Sequence, residues 1–254
     1  MTVKDIYTLL AEKAPPEAKL EYDNVGHLVG DAGAEVSKIL LALDITPWVI
    51  DEARTLGAEL IVSHHPVIRE GLKSVTNDKG ANVMRLLQYG ISAICMHTNL
   101  DAAEGGVNTE LARLLGIQGA KTFEDSNIAR IGDLPIALST LDFLPLVKKI
   151  LNCNGLRYYN AHRLVDHIAV CGGSGGSMLD AVIAANADTF LTSDIKYDTF
   201  LEAKRAEINL IDAGHFPTEN VVIPVLRDWI AEANPTAELT ISETHEQPEL
   251  FFNC

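Results

Sequence analysis

Short, uninterrupted apolar runs alternate with amphipathic, helix-like segments along most of this chain of 254 residues. The runs cover residues 38–44, 60–63, 91–96, 167–171, 189–192 and 209–212. A strand that is buried on both faces of a parallel sheet is apolar throughout, and consecutive parallel strands need a crossover, usually a helix, between them. The pattern therefore predicts an α/β fold with mixed, mostly parallel sheets, and the number of runs predicts two interlinked α/β lobes.

The lobe boundary is predicted from a polar stretch without periodicity, which covers residues 119–132. We expect a first lobe over residues 1–125, completed by the C-terminal segment 220–254, and a second lobe over residues 126–219. We also expect one helix over about residues 79–89 and another that runs without a break from residue 218 to residue 233.

Histidines and carboxylates follow three of the apolar runs. His64 and His65 come after the run at 60–63, His97 and Asp101 after 91–96, and His215 and Glu219 after 209–212. In α/β folds, ligands bind outside the carboxyl ends of the strands, and neutral imidazole is the commonest metal-ligating side chain. The three clusters therefore predict a hydrolytic site for Zn, Mn or Fe(II). For the other histidines we expect structural roles.

The number of candidate ligands exceeds what one catalytic zinc normally takes, which is three side chains and a water. The count favours two ions that activate a shared water, while a mononuclear site stays a second interpretation. His215 and Glu219 are four residues apart across a predicted helix start, so we expect them to share one helix face. His97 and Asp101 have the same spacing, but there we expect a loop.

Seven short stretches resemble the Nif-three-like family, whose members are also described as GTP cyclohydrolase I type 2 homologues. They are Tyr22–Gly26, Ser63–Pro66, His97–Asp101, Gly105–Asn108, Cys171–Gly175, Ser193–Tyr197 and Asp212–Glu219. The resemblance implies a dinuclear metal centre in the cleft between the two lobes. Its ligands would be His64, His65, Asp101, His215 and Glu219, with His97 beside the metals as a catalytic proton carrier.

The resemblance also implies a toroidal homohexamer. The chain resembles the minimal form of the family, because it is too short for the domain that larger members insert. One departure concerns the stretch after Ser193. The family commonly has His where this chain has Asp198, and this puts in doubt any substrate contact assigned to that position.

Together these features predict a metal-dependent hydrolase with two divalent ions per chain, Zn, Fe or Mn. The substrate would be a small molecule; the cyclohydrolase resemblance suggests GTP, with its imidazole ring opened and formate released. Two alternatives stay open. The protein could be a phosphoesterase or amidase, or it could be a metal-containing oligomeric scaffold or regulatory binding protein without turnover.

The glycine run Gly172–Ser177 has two interpretations. It follows a predicted strand and precedes a predicted helix, so its backbone N–H groups could hold a phosphate. Alternatively, the glycines permit a tight turn with close packing. No Gly-Lys-Ser/Thr follows the run, so it is not a Walker loop.

The formal charge of −15 disfavours general binding to nucleic acids, since phosphates would be repelled. No apolar run approaches the roughly 20 residues of a membrane span, and we see no secretory signal. Four cysteines lie far apart without a Cys-x-x-Cys pair, which argues against a zinc ribbon. We therefore expect reduced thiols and a cytoplasmic location.

Overall fold

The computed structural model describes residues 1–76 and 80–252, and it divides into two compact units. The first unit consists of Met1–Glu104 and Val222–Glu246, and the second of Gly105–Val221 with the residues from Gln247 onward. Each unit contains one mixed sheet with helices, so the predicted α/β fold with two mixed sheets is confirmed.

The strands and helices of the first unit follow in chain order. They are α1 (Val3–Lys13), β1 (Gly26–Val29), β2 (Lys38–Ala42), α2 (Pro47–Leu56), β3 (Leu60–Ser63), α3 (Ala81–Tyr89), β4 (Ser92–Cys95) and α4 (Thr98–Ala102). After the second unit the chain returns with α10 (Ile223–Ala233) and β11 (Glu238–Ile241).

The first sheet has the order β1-β4-β3-β2-β11. The strands β4, β3, β2 and β11 are parallel to their neighbours, whereas β1 pairs with β4 in the antiparallel direction. All four residues of β3 and of β4 are buried, as expected for central parallel strands. Their last residues, Ser63 and Cys95, lie opposite each other, so the segments that follow them leave the same edge.

The second unit contains six strands and five helices among its described residues. They are α5 (Val107–Leu114), β5 (Gln118–Lys121), β6 (Arg130–Ser139), α6 (Thr140–Ile150), β7 (Arg157–Tyr159), β8 (Leu164–Val170), α7 (Leu179–Ala184), β9 (Thr189–Thr192), α8 (Tyr197–Arg205), β10 (Asn209–Asp212) and α9 (His215–Glu219).

The second sheet has the order β5-β6-β8-β9-β10-β7. Its central strands β8, β9 and β10 are parallel, and the pairs at both sides of this centre are antiparallel. The parallel register places Asp212, the last residue of β10, opposite Thr192 at the end of β9. The loops after β8, β9 and β10 therefore leave one edge of this sheet.

Several elements differ from the sequence expectations. The N-terminal segment of the first unit ends at Glu104, ahead of the boundary expected near residue 125, because β5 pairs with β6 at the edge of the second sheet. The returning segment of this unit ends at Glu246 and not at residue 254 as expected. The helix expected over 218–233 is divided into α9, a 3-10 turn at Asn220–Val222 and α10. Pro224 lies in the first turn of α10, where its missing N–H costs no hydrogen bond.

Three further observations bear on the expectations. The helix expected from about residue 79 is α3, and residue 79 itself lies outside the described residues. Cys95, Cys153 and Cys171 are buried, while Cys254 lies outside the described residues. Among the residues that the structure describes, no helix is both long enough and apolar enough to cross a membrane.

Candidate metal centre

Three imidazoles of the first unit lie together at the carboxyl edge of its sheet. His64 and His65 follow β3 directly, and His97 follows β4 after Met96. The ring centroids are 4.9 Å apart for His64 and His65, 5.2 Å for His64 and His97, and 5.5 Å for His65 and His97. Each ring offers one nitrogen within 4.8 Å of the other two, so the group could hold a metal ion.

The orientation of His64 and His65 is set through their Nδ1 atoms. His64 Nδ1 donates to the backbone carbonyl oxygen of Met96 at 2.9 Å, and His65 Nδ1 donates to Asp44 Oδ1 at 2.7 Å. A proton on Nδ1 leaves the lone pair of a neutral imidazole on Nε2. Metal-ligating histidines typically show this arrangement, in which the other ring nitrogen donates to a carbonyl or carboxylate.

Asp101 lies on a short helix, not on the loop that the sequence suggested. The helix α4 starts directly after His97, whose carbonyl oxygen accepts hydrogen bonds from the N–H groups of Leu100 and Asp101. This turn brings Asp101 Oδ1 to 3.7 Å from His64 Nε2. A buried carboxylate therefore joins the three imidazoles, and all four side chains belong to the first unit.

Asp23 is a residue of this region that sequence reasoning did not identify. Its Oδ1 accepts a hydrogen bond from His97 Nδ1 at 2.8 Å, and its Oδ2 accepts from the N–H and the hydroxyl of Thr98 at 3.0 and 2.6 Å. Burial alone would raise the pKa of Asp23, but the hydrogen bonds from His97 and Thr98 hold it well below its usual range. The available signal was its place in the stretch Tyr22–Gly26.

In the second unit, His215 and Glu219 form the predicted pair on one helix face. Both lie on α9, which starts after Gly214, and His215 Nε2 is 2.9 Å from Glu219 Oε2. His215 Nδ1 donates to Asp194 Oδ2 at 2.7 Å. Burial lowers the pKa of His215, but Glu219 and Asp194 outweigh this effect and raise it to about 9.

Gly173 allows the glycine run to approach this pair closely. Its φ is +64°, and a Cβ at this position would overlap Glu219 Oε1 and lie 3.3 Å from His215 Nε2. The N–H groups of Gly172 and Gly173 donate to Asn108 Oδ1 and Thr218 Oγ1. Because these N–H groups already have partners within the unit, the contacts favour the close-packing interpretation over a phosphate cradle.

The donor set fits a divalent transition metal. Imidazole nitrogens combined with carboxylate oxygens suit Zn, Fe and Mn, whereas Mg and Ca prefer oxygen ligands alone. Such side chains occur in each unit: the first contains His64, His65, His97 and Asp101, and the second contains His215 and Glu219. The described residues of the chain thus contain His/Asp/Glu groups that could bind a metal.

Comparison with known proteins identifies relatives along nearly the whole chain. The family model described as Duf34/NIF3 (NGG1p interacting factor 3) matches residues 1–248. A "GTP cyclohydrolase 1 type 2 homolog" from Clostridium perfringens is 31% identical over 258 residues, with 98% of each chain covered. A protein of the same name from Lactococcus lactis subsp. lactis is 31% identical over 256 residues, again with 98% of each chain covered.

Solved structures show the same fold. The crystal structure of a Staphylococcus aureus hypothetical protein superposes with a TM-score of 0.91 at 27% identity and covers 99% of both chains. A Bacillus cereus protein related to NIF3 superposes with a TM-score of 0.93, also over 99% of both chains, and its 21% identity supports likeness of fold alone.

Proposed function

This chain belongs to the Duf34/NIF3 family, and from that premise we propose that it is a metal-dependent hydrolase that uses two divalent ions per chain. The proposed ligands are His64, His65, Asp101, His215 and Glu219. When bound, such ions polarise a substrate oxygen or lower the pKa of a water, which is the chemistry that hydrolysis at neutral pH requires.

The observation that carries this proposal is the set of contacts made by both ring nitrogens of the proposed histidine ligands. In His64, His65 and His215, Nδ1 donates to Met96 O, Asp44 and Asp194, so Nε2 is the nitrogen that a metal would bind. The surface residue His167 bonds to Asp133 in the same way, so this bond alone does not identify a ligand. In His64 and His215, however, Nε2 also lies 3.7 and 2.9 Å from a second proposed ligand, Asp101 and Glu219 respectively, and this combination supports metal binding more strongly than the residue types alone.

We propose that His97 moves protons for the reaction and that Asp23 positions it. The Asp23 carboxylate holds the proton of His97 on Nδ1 and favours the ring orientation in which Nε2 can accept a proton from water. The hydrogen bonds from Thr98 to the other carboxylate oxygen fix Asp23 in turn. The side chain of His97 is 18% exposed, so it keeps the access to water that a proton carrier needs.

A nucleotide is the substrate that we propose, and the names of the relatives suggest GTP as the first compound to test. The reaction would be hydrolytic opening of its imidazole ring with release of formate. A cavity of about 280 Å³ in the second unit is lined by Asp194, the partner of His215, and by Lys196 among further carboxylates and hydroxyls. Asp198, where the resemblance implies His, lines the same cavity.

The first test is the metal content per chain, measured by mass spectrometry on untagged protein. We expect close to two ions per chain, and fewer in Asp101→Ala, because a buried ligand is lost. If the protein contains no metal and takes up none on addition of Zn, Mn or Fe(II), the proposal is wrong.

A second test separates catalysis from metal binding through His97→Ala. We expect loss of formate release from GTP with unchanged metal content, since His97 is proposed to carry protons and not to bind metal. Loss of metal in this variant would instead place His97 among the ligands. A metal-loaded wild-type chain without turnover on nucleotides, phosphoesters or amides would favour the scaffold alternative.

The proposed assembly is a homohexamer, inferred from the family. Sedimentation equilibrium of the metal-loaded protein should give six times the mass of one chain, and the mass of a monomer or dimer would contradict this part of the proposal.

A further inference from the structure

The carboxylate of Asp212 joins the two turns that carry the His215–Asp194 hydrogen bond. Asp212 is the buried last residue of β10. Its Oδ2 accepts from the N–H of Ile195 at 3.2 Å, and its Oδ1 accepts from the N–H of Gly214 at 3.2 Å. Ile195 follows Asp194 and Gly214 precedes His215, so one carboxylate holds the backbone on both sides of the bonded pair.

The turn at Asp194 has a backbone conformation that needs such support. Asp194 has a φ of +54°, and a left-handed conformation is unfavourable for a residue with a Cβ, whereas Gly214 adopts its φ of +85° without this cost. The N–H of Ile195 is in a buried residue, where a missing acceptor would leave it unsatisfied. The Asp212 carboxylate therefore stabilises the turn that presents Asp194 to His215.

Arg157 completes this arrangement from the neighbouring strand. It lies opposite Asp212 in the antiparallel pair of β10 and β7, and its Nη2 donates to Asp212 Oδ2 and, at 2.9 Å, to the carbonyl oxygen of Ile195. Its guanidinium also lies over the ring of Phe200, 5.7 Å from the centroid. The guanidinium fixes the orientation of the Asp212 carboxylate.

From these contacts we propose that Asp212, held by Arg157, is a positioning residue that orients His215 for metal binding. The inference rests on the proposed function insofar as His215 binds a metal. Both Asp212 oxygens accept backbone N–H groups, so Asp212 acts through the turns at Asp194 and Gly214 and not as a ligand. Outer partners of this kind typically contribute about 10- to 100-fold to metal affinity.

A double-mutant cycle on zinc affinity, measured by chelator competition, tests this role. We expect Asp212→Asn and Asp194→Ala each to weaken binding by about 10- to 100-fold. The zinc affinity of the double variant should equal that of the more strongly affected single variant, because both changes disable the same hydrogen bond. Single effects that multiply in the double variant would overturn the proposal.

A second readout is the Nδ1–H proton of His215 in the metal-free chain, observed by NMR as a downfield resonance coupled to ¹⁵N and assigned by its absence in Asp194→Ala. We expect fast exchange with water to remove this resonance in Asp212→Asn. An unchanged resonance together with wild-type zinc affinity would overturn the proposal. A wild-type chain that binds no zinc would contradict the proposed function, while the resonance still decides the role of Asp212.

Asp188→Asn is the matched control. Asp188 is as buried as Asp212, at 7% against 6% exposure, and accepts hydrogen bonds from the N–H groups of Asp166 and His167. We expect this variant to melt at a lower temperature but to keep the wild-type zinc affinity and the His215 Nδ1–H resonance. If Asp188→Asn loses the zinc affinity or the resonance, the effect of Asp212→Asn is due to general destabilisation and the proposal is wrong.

If Asp212→Asn does not fold, Arg157→Gln replaces it. The Arg157 side chain is 56% exposed, so the change removes the ion pair without opening the core. We expect faster exchange of the resonance and zinc affinity weakened by about two- to fivefold, the range of a half-exposed ion pair. No change in either measurement would overturn the proposal.

Discussion

At the scale of single residues, the sequence predicted the candidate ligands but not the groups that orient them. The candidate ligands can be recognised in the sequence because each cluster follows an apolar run that predicts a strand. Their partners Asp23, Asp44 and Asp194 are separated from the histidines they hold by 74, 21 and 21 residues. Such separations along the sequence are too long to follow from the period of one helix or strand, so only the folded structure shows which residues are paired.

The proposed binding of a metal by His215 should depend on pH. In the metal-free chain its pKa is raised to about 9, so the imidazole is protonated at neutral pH and must lose that proton when a metal binds. We expect the apparent affinity to rise by up to about tenfold per pH unit from pH 7 and to level off near pH 9.

The measurement is chelator competition with zinc between pH 7 and pH 9.5, corrected for protonation of the chelator. His167→Ala is the control, because His167 pairs with Asp133 on the surface and should leave the pH profile unchanged. An affinity that stays constant over this range would contradict the assignment of His215 as a ligand.

At the scale of helices and strands, the sequence predicted the buried parallel strands better than the edge strands. The strands β2, β3, β9 and β10 lie within the predicted apolar runs. The edge strands β5 and β7 were not predicted, because all four residues of β5 and two of three in β7 are exposed and carry no apolar pattern. The break between α9 and α10 was also missed, since Val221 and Val222 within it are apolar and continue into the apolar start of α10.

The loop after β8 offers a direct test of close packing against Glu219. We expect Gly173→Ala to lower the metal content and the melting temperature, because its φ of +64° is unfavourable for alanine and the new Cβ would displace the Glu219 carboxylate. The left-handed backbone alone accounts for about 1–2 kcal/mol.

Gly176→Ala in the same loop is the control for this change. A Cβ at Gly176 would come no nearer than 3.9 Å to Thr199, which is ordinary contact, so both quantities should stay as in the wild type. If Gly173→Ala has the metal content of the wild type, metal binding does not depend on the position of the Glu219 carboxylate against Gly173.

At the scale of the whole molecule, the first unit depends on a segment that follows the second unit in the sequence. The strand β11 pairs with β2, and the residues after it are held by Glu52 of α2. The Glu52 carboxylate accepts hydrogen bonds from the hydroxyls of Ser242 and Thr244 and from the N–H of Glu243. Burial raises the pKa of Glu52, but these hydrogen bonds outweigh it and lower the pKa below its usual range.

We expect Glu52→Gln to lower the stability of the protein by about 1–2 kcal/mol at pH 7. Because the pKa of Glu52 is lower in the folded state, its contribution is present above the unfolded value near 4.5 and is lost as the pH falls below it. The difference in melting temperature between wild type and variant should therefore shrink towards pH 4.

Glu238→Gln is the control, since Glu238 forms an exposed ion pair with Lys38 at 3.1 Å and such pairs contribute little. Its melting temperature should match the wild type at both pH values. A Glu52→Gln difference of the same size at pH 7 and pH 4 would show that the charge of Glu52 is not what holds the C-terminal segment.

The return of the chain to the first unit has a consequence for biosynthesis. The ribosome releases Met1–Glu104 long before it makes Val222–Glu246, and the whole of Gly105–Val221 is translated in between. At roughly 5–20 residues per second this delay lasts on the order of 6–25 s, during which the edge of β2 has no β11 to cover it. Nascent chains arrested through a C-terminal linker, so that residue 221 has just left the ribosome, should therefore have a complete second sheet and an incomplete first sheet, and they should recruit chaperones until α10 and β11 emerge.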